Sequence, residues 1–431
     1  MRKQPSTSLP AVTPKQLDAV ITQVREYELI TPLYGGGVNP NKADPITVVR
    51  ATEIRGQLRF WWRACRGGQK RFNSDLAAMK KEEDSIWGAA YKKGDPIIPQ
   101  EQTIQIIVEP LKQGTAVKPF RIEKDKKQNN QSKPVPDIPA YAAFPLQPDQ
   151  DELKKTEPYI PDVRNRVSFT LTISFPENKQ TEVEAALWAW ETFGGIGART
   201  RRGFGALRLL KIDSMNHVDL PYSDIVKVKG WVEAKVKKFV EPGKPPADVP
   251  YLSSSSQFVV TPSSESAVQA WKKLIDKLYR FRQDGRPGRS NWPEAEAIRM
   301  LTKRRDSRYE ELSHPQKFPR AAFGLPIIFH FKDPQDPKDT TLREGEEENG
   351  EKKDRFTSPL ILRPFMCRDN RAVGVALLLE GSRVDLEKIV LVDEDKLPHP
   401  VEARLTKDEA ENIAILNGET DVLKAFMNFL P

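Results

Sequence analysis

The chain has 431 residues, of which 38% are hydrophobic and 30% charged, and it carries a formal charge of +8 at pH 7. This length allows two or three domains, the positive charge favours anionic partners, and two cysteines exclude a disulfide framework or a cysteine-based zinc site. The N-terminus has no signal-peptide core and no apolar run is long enough to span a membrane, so we expect a cytoplasmic protein without a membrane partner.

The first half alternates strand and helix patterns. Apolar residues recur with a period of two over 167–175 and with helical spacing over 52–66 and 181–193. The predicted elements are a lead-in at 1–24 with a short helix near 15–24, a strand at 27–33, a helix at 52–66 capped by Thr52, a helix near 76–81, a strand at 103–108, a strand at 167–175, a helix at 181–193 and a strand at 206–212. This order predicts a ferredoxin-like or RRM-like sheet with two helices on one face.

Residues 111–160 are rich in Lys, Gln, Asn, Pro and Asp, so we expect a long flexible hairpin or insertion that contributes nothing to the core. Prolines and glycines over 216–250 indicate a connector. The predicted elements beyond it are a strand at 257–261, helices at 265–281 and from 293, strands at 322–331, 359–365 and 373–379, and a helix at 421–430 capped by Thr420.

Together these elements predict an α+β protein of tandem ferredoxin-like domains with long insertions. The expected division is a lead-in at 1–24, a first domain at 25–215 with its insertion near 111–160, a connector at 216–250, and a second domain at 251–431 with a charged, mobile or disordered insertion near 332–355.

Residues 193–208 combine glycines with arginines and contain no acid. Glycine allows the backbone to approach a ligand closely, and the guanidinium of arginine matches phosphate oxygens with two hydrogen bonds. The spacing fits neither a P-loop nor a dinucleotide-binding fingerprint. We expect this loop to bind a polyanion; a solvated basic hairpin is the alternative.

The helix at 52–66 carries a stripe of arginines beside its apolar face: Arg55, Arg59, Arg63 and Arg66. Like charges at these spacings repel one another in an isolated helix. Residues 50–71 contain seven Lys or Arg and the single acid Glu53. We therefore expect the stripe to face an anion, the alternative being an exposed basic face with nothing bound.

A third basic segment covers 280–305, and each of the three carries aromatic residues that could stack on unpaired bases. These aromatic residues are Phe60, Trp61, Trp62, Phe204, Phe281 and Trp292. We expect Trp61, Trp62 and Trp190 in the core, while Phe204 and Trp292 remain open to either role.

Catalytic patterns are weak. The four histidines are His217, His314, His330 and His399, and none pairs with another at a metal-ligand spacing. His314 is the best candidate for a metal-independent ribonuclease, because imidazole transfers protons near neutral pH. We assign no catalytic residue, no metal site and no cofactor.

Several segments together resemble the RAMP superfamily of CRISPR-associated proteins, and more narrowly the first RAMP-module subunit of the type III-B (Cmr) effector complex. They are residues 53–63, 194–205, 285–290, 323–327 and 358–364. The resemblance implies tandem ferredoxin-like domains in an antiviral ribonucleoprotein, bound to other RAMP subunits, a guide RNA and complementary target RNA. It implies a place near the 3′ end of the guide and help with target capture, with target cutting left to another subunit.

The sequence therefore predicts a non-catalytic RNA-binding subunit. The residues expected at RNA are Arg50, Arg55, Arg59, Arg63, Gly194, Gly195, Gly197, Arg199, Arg201, Arg202, Gly203, Phe204, Gly205, Arg286 and Arg289. Two alternatives stay open: a metal-independent endoribonuclease that processes guide RNA, and a stand-alone nucleic-acid-binding protein.

Overall fold

A computed structural model describes residues 19–37, 44, 46–89, 104–213, 218–284, 291–302, 317–331, 335–345, 355–381, 384, 386–393 and 398–431. The strands are β1 (Val20–Leu29), β2 (Gln105–Val117), β3 (Phe120–Lys124), β4 (Asn130–Pro134), β5 (Val163–Pro176), β6 (Leu207–Ile212), β7 (Phe258–Val260), β8 (Ile327–Phe329), β9 (Thr340–Glu344), β10 (Leu360–Met366), β11 (Ala372–Leu378), β12 (Ile389–Val392) and β13 (Pro398–Val401). The helices are α1 (Ala51–Arg66), α2 (Leu76–Trp87), α3 (Ala140–Ala143), α4 (Gln150–Leu153), α5 (Gln180–Phe193), α6 (Ile225–Phe239), α7 (Ala267–Gln283), α8 (Glu294–Leu301), α9 (Lys407–Glu411) and α10 (Val422–Phe429). The α+β class with antiparallel sheets is confirmed.

The first sheet has the strand order β2-β5-β1-β6, and its strands pair antiparallel. Alternate residues of β5, from Val167 to Phe175, are buried, as the period of two predicts. Helices α1 and α5 pack together over this core. Trp61, Trp62 and Trp190 are each at most 2% exposed, which confirms their predicted place in the core.

The start of the chain differs from the prediction. Strand β1 begins at Val20, so the predicted helix near 15–24 is wrong over residues 20–24, while residues 1–18 lie outside the described residues. Pairing of β1 with both β5 and β6 outweighs the local helical pattern. Two predicted caps are also wrong: α1 follows Arg50 rather than Thr52, and α10 is capped by the Asp421 carboxylate rather than Thr420.

The insertion near 111–160 is folded and contributes to the core, contrary to the prediction. Strand β2 continues to Val117, and β3 and β4 form a hairpin beyond it. Phe120, Ile138 and Ala142 are at most 3% exposed and belong to the same apolar cluster as Trp271 of α7. The polar composition reflects the exposed strands and turn of the hairpin, whereas the few apolar side chains bind the insertion to the second half.

The second half contains two further sheets, with strand orders β10-β11-β7 and β13-β12-β9-β8. Strand β9 lies inside the segment predicted to be a charged, disordered insertion, so that prediction is wrong for Thr340–Glu344; residues 332–334 and 346–354 lie outside the described residues. Helix α6 lies inside the predicted connector.

Arg363 of β10 joins the two halves. It is 0% exposed, and its Nη1 donates to the carbonyl oxygens of Glu191 at 2.8 Å and Gly194 at 2.9 Å. Its Nη2 donates to the Leu207 carbonyl oxygen at 2.7 Å. The last carbonyls of α5 have no partner within the helix and form the negative end of its dipole, so a cation is favourable there. Burial lowers the pKa of the Arg363 guanidinium, and the nearby Glu191 carboxylate opposes that shift.

We expect Arg363→Met to lower the free energy of unfolding by about 3 kcal/mol, because it leaves three buried carbonyl oxygens without a donor. Urea unfolding followed by circular dichroism measures this loss. The exposed Arg368 of the same half is the matched control, and Arg368→Met should change stability by less than about 0.5 kcal/mol. Equal stability of the two variants would show that Arg363 does not hold the halves together.

Candidate nucleic-acid interface

The glycine loop, residues 194–205, is positioned by contacts with the first half. The N–H of Gly197 donates to the Glu53 carboxylate of α1, and the N–H of Ala198 donates to the Tyr34 carbonyl oxygen at 2.7 Å. Burial raises the pKa of Glu53, while the Gly197 N–H and the charge of Arg50 oppose that shift. The loop therefore lies against the start of α1 and the segment after β1.

The glycines of this loop approach the protein's own chain. Gly203 and Gly205 have φ values of 84° and 58°, which L side chains rarely adopt. A Cβ atom on Gly205 would lie 1.9 Å from the Ile196 carbonyl oxygen, and one on Gly203 would lie 2.5 Å from Trp271 Nε1. The expectation that the glycines make room for a ligand is therefore wrong for the buried ones, which are Gly194, Gly195, Gly203 and Gly205. Gly197 is half-buried.

The arginine stripe of α1 was expected to face an anion, but members of the stripe pair with acids of the protein itself. Arg59 bonds to Glu83 at 2.6 Å and to Asp84 at 2.8 Å, and Arg63 bonds to the same Glu83 oxygen at 2.6 Å. Both acids lie on α2, which packs beside α1. Arg66 pairs with Glu182 and Glu241, both at 3.0 Å, so three of the four arginines of the stripe are paired within the protein. The stripe does not by itself indicate an external anion.

Two further arginines, at the N-terminus of α1, also bond to acceptors within the protein. The guanidinium of Arg55 donates to the Trp87 carbonyl oxygen at 2.7 Å, at the C-terminus of α2. That of Arg50 donates to the Gly36 carbonyl oxygen. These contacts fix α1 to the neighbouring segments and leave less of either side chain for RNA.

Four arginines form what we call the arginine cluster: Arg199, Arg201, Arg202 and Arg282. Within the described residues, none of the four forms an ion pair with Asp or Glu. Burial, together with charge repulsion from Arg282 and Arg199, lowers the pKa of Arg202 to about 9. Burial also lowers the pKa of Arg201 to about 10, and that of Arg199 is lowered by burial and by Arg282. The cluster is a concentration of positive charge that the described part of the protein does not neutralise.

The second half holds the cluster in place. The Arg201 guanidinium donates to the Ser358 carbonyl oxygen, and that of Arg202 donates to the Leu360 carbonyl oxygen at 3.0 Å. Trp271 Nε1 donates to the Arg202 carbonyl oxygen at 2.7 Å. Because these acceptors are neutral, they orient the arginines without cancelling their charge.

The aromatic residues left open by the sequence are in the core. Phe204 is 0% exposed and its ring lies 4.9 Å from that of Trp271, so the ring has no free face for the predicted stacking on RNA. Trp292 is 1% exposed. Arg282, Tyr141 and Tyr279 lie at or beside the cluster and were not predicted from the sequence. Arg282 stands in the basic segment 280–305, whereas the polar composition around Tyr141 concealed its packing.

Some predicted residues cannot be placed. Arg286 and Arg289, which follow Arg282 in the chain, lie outside the described residues. His217 and His314 also lie outside them. His330 and His399 pair with Asp339 at 2.7 Å and Asp393 at 2.8 Å. Across the described ranges, no group of three or more His, Cys, Asp or Glu side chains is arranged to hold a metal ion, and none of the helices has the length and apolar character to span a membrane.

Glycine-to-alanine substitutions test the packing role of the loop glycines. We expect Gly203→Ala to lower the free energy of unfolding by about 2 kcal/mol, because the new Cβ would meet Trp271 at an unfavourable φ. Gly230→Ala in α6 is the control, since nothing lies within 4 Å of its Cβ position, and it should stabilise the protein by about 0.5–1 kcal/mol. Urea unfolding measures both changes; a neutral Gly203→Ala would contradict the packing role.

Part of the chain is similar in sequence to known proteins. Residues 26–208 match the model of the RAMP superfamily. The chain is 28% identical over 198 residues to the CRISPR system Cmr subunit Cmr1-2 of Pyrococcus furiosus, covering 44% of this chain and 96% of the relative. It is 25% identical over 167 residues to Cmr1-1 of the same organism, covering 38% of this chain and 42% of that relative.

Solved structures with a similar chain include apo Cmr1 from Pyrococcus furiosus, with a TM-score of 0.46, 17% identity, and coverage of 91% of this chain and 96% of that one. A chain of the type III-B Cmr-beta complex bound to cognate target RNA and AMPPnP gives a TM-score of 0.49, 13% identity, and coverage of 95% and 98%. The resemblance drawn from the sequence is confirmed: residues 26–208 match the RAMP superfamily model, and the chain is similar to Cmr1 subunits.

Proposed function

We propose that this chain is a non-catalytic RNA-binding subunit of a type III-B CRISPR effector complex. The observation that carries the proposal is the arginine cluster, four guanidinium groups without an acidic partner among the described residues. A ribose-phosphate chain would supply the missing negative charge, and bidentate hydrogen bonds from arginine suit phosphate oxygens.

The relatives support the cellular setting of this proposal. Both curated relatives are named as Cmr subunits of a CRISPR system, which favours assembly with other RAMP subunits. In this setting the RNA is the guide near its 3′ end together with complementary target RNA, and the subunit assists target capture in antiviral defence. The cytoplasmic location expected from the sequence belongs to the same proposal.

We also propose that the chain contains tandem ferredoxin-like domains at 25–215 and 251–431, joined by the connector at 216–250. The strand order β2-β5-β1-β6 with α1 and α5 supports this assignment for the first domain. For the second domain, the chain order β7, α7, β10, β11 and α10 supports a related unit with a three-stranded sheet.

The structure gives the proposed RNA contacts unequal support. Arg199, Arg201 and Arg202 keep the strongest support, with Arg282 added to them. Arg286 and Arg289 remain proposed contacts because they follow Arg282 in the chain. Arg59 and Arg63 have less support, since acids of α2 neutralise them.

Two arginines of α7 allow a matched test of RNA binding. Arg282→Gln should weaken binding of single-stranded RNA about fivefold whatever its sequence, because one phosphate contact is lost. It should also reduce the slope of log K against log salt by about 0.7. Fluorescence anisotropy with labelled RNA at several salt concentrations measures both quantities.

The control is Arg280→Gln, which removes the same charge two residues earlier. Arg280 is 68% exposed and pairs with Asp276 at 2.9 Å, so this variant should bind RNA as the unchanged chain does. Equal weakening by both variants would point to non-specific attraction, and an unchanged affinity for Arg282→Gln would exclude the cluster as the RNA site.

The absence of catalysis is tested separately. Labelled repeat RNA incubated with the full chain should stay intact in magnesium and in EDTA, as judged by denaturing gels. Discrete cleavage in EDTA that disappears in His314→Ala would instead establish the metal-independent endoribonuclease.

A further inference from the structure

Two tyrosines form an aromatic pair on the surface, which we call the tyrosine pair: Tyr141 of α3 and Tyr279 of α7. Their ring centroids lie 5.5 Å apart with the planes inclined at 68°, an edge-to-face contact. Tyr279 is 47% exposed, and Tyr141 is half-buried. The pair therefore presents aromatic surface to solvent at the contact between the insertion and the second half.

The tyrosine pair lies next to the arginine cluster. Tyr141 lies within electrostatic range of Arg199 and Arg202 and opposes the lowering of their pKa values. Tyr279 precedes Arg282 by three residues on α7, so the two side chains are neighbours on the helix surface. Exposed aromatic surface and unneutralised positive charge thus meet at one place.

We propose that the tyrosine pair is a stacking site for an unpaired base of RNA whose phosphates lie in the arginine cluster. This inference rests on the proposed function and states which form of RNA the site takes. A base stacks on an aromatic ring whatever its identity, so the site selects single-stranded RNA without selecting sequence. A base inside an A-form duplex is already stacked and paired, and its planar face is not available.

The composition of the site favours this ligand over a simple structural role for the tyrosines. A purely structural pair would gain most from burial, yet Tyr279 keeps almost half of its surface in water beside Arg282. Of the six aromatic residues that the sequence suggested for stacking, Phe60 is half-buried and already lies against Arg201, whose guanidinium carbon is 5.6 Å from the ring centroid. The other five are at most 2% exposed: Trp61, Trp62, Phe204, Phe281 and Trp292. Among the aromatic residues considered for the cluster, the tyrosine pair combines accessibility with nearby cations.

The test compares two ligands of equal length: single-stranded RNA with bases, and an abasic ribose-phosphate oligomer. Tyr279→Ala in the full chain should bind the RNA with bases roughly tenfold more weakly, and bind the abasic oligomer within about twofold of the unchanged chain. Arg282→Gln should weaken the binding of both ligands. Thermal unfolding of each variant verifies that the fold is intact.

Three controls make the result specific to stacking. Tyr279→Phe should bind both ligands as the unchanged chain does, because the ring is kept. Tyr222→Ala removes a ring of similar exposure, 49%, near α6, and should leave RNA affinity unchanged. RNA carrying 2-aminopurine should lose fluorescence on binding to the unchanged chain, and lose less on binding to Tyr279→Ala.

The outcomes separate the two proposals. If Tyr279→Ala binds base-containing RNA normally while Arg282→Gln binds it weakly, the stacking site is wrong and the proposed function stands. Equal losses for Tyr279→Ala and Tyr222→Ala, or for Tyr279→Ala with both ligands, would also overturn the stacking site. If the unchanged chain binds neither ligand, the proposed function fails and the stacking site fails with it.

Discussion

The buried guanidinium of Arg363 is the interaction on which the rest of the molecule depends. It contacts Gly194 at the start of the glycine loop and Leu207 just after its end, and also the last turn of α5 through the Glu191 carbonyl oxygen. Burying a charge is unfavourable unless it is fully hydrogen-bonded, and here carbonyl oxygens at the C-terminus of α5 and at the start of β6 accept the bonds. One side chain from the second half thus sets the distance between the two ends of a loop in the first.

The arginine cluster follows from that constraint. Arg199, Arg201 and Arg202 occupy a loop whose ends are fixed by Arg363 and whose interior is packed through glycines against the protein's own backbone. Neutral acceptors such as the Leu360 carbonyl oxygen orient the side chains. Loop packing and these hydrogen bonds therefore hold the arginines together against their mutual repulsion before any ligand binds. An anion would bind side chains that are already oriented.

Hydrophobic periodicity predicted the fold where the sequence of a single helix or strand shows which of its faces is buried. The alternation in β5 and the helical spacing in α1 placed Trp61, Trp62 and most of the first sheet correctly. The resemblance to the RAMP superfamily is confirmed by the match over residues 26–208. Local patterns failed where the partner lies elsewhere in the chain. The acids that neutralise Arg59 and Arg63 belong to α2, so the sequence of α1 alone indicated only repulsion between its arginines.

The same limit applied to burial. Phe204 stands between glycines in a basic loop, yet it is enclosed by Trp271 of the second half and Tyr34 of the first. The insertion was predicted as flexible because its polar residues outnumber the apolar ones that reach α7. No spacing rule shows that Tyr141, 138 positions before Tyr279, meets it at the surface; only the packed tertiary structure brings them together.

The shared core of the insertion and α7 has a consequence for how the chain is made. Phe120 and Ile138 leave the ribosome long before Trp271 and Leu278, the side chains that later cover them. While the intervening residues are being translated, this apolar surface stays exposed on the nascent chain. The first half therefore completes its fold only after the second half has emerged. A truncated product would leave this apolar surface exposed to chaperones and proteases.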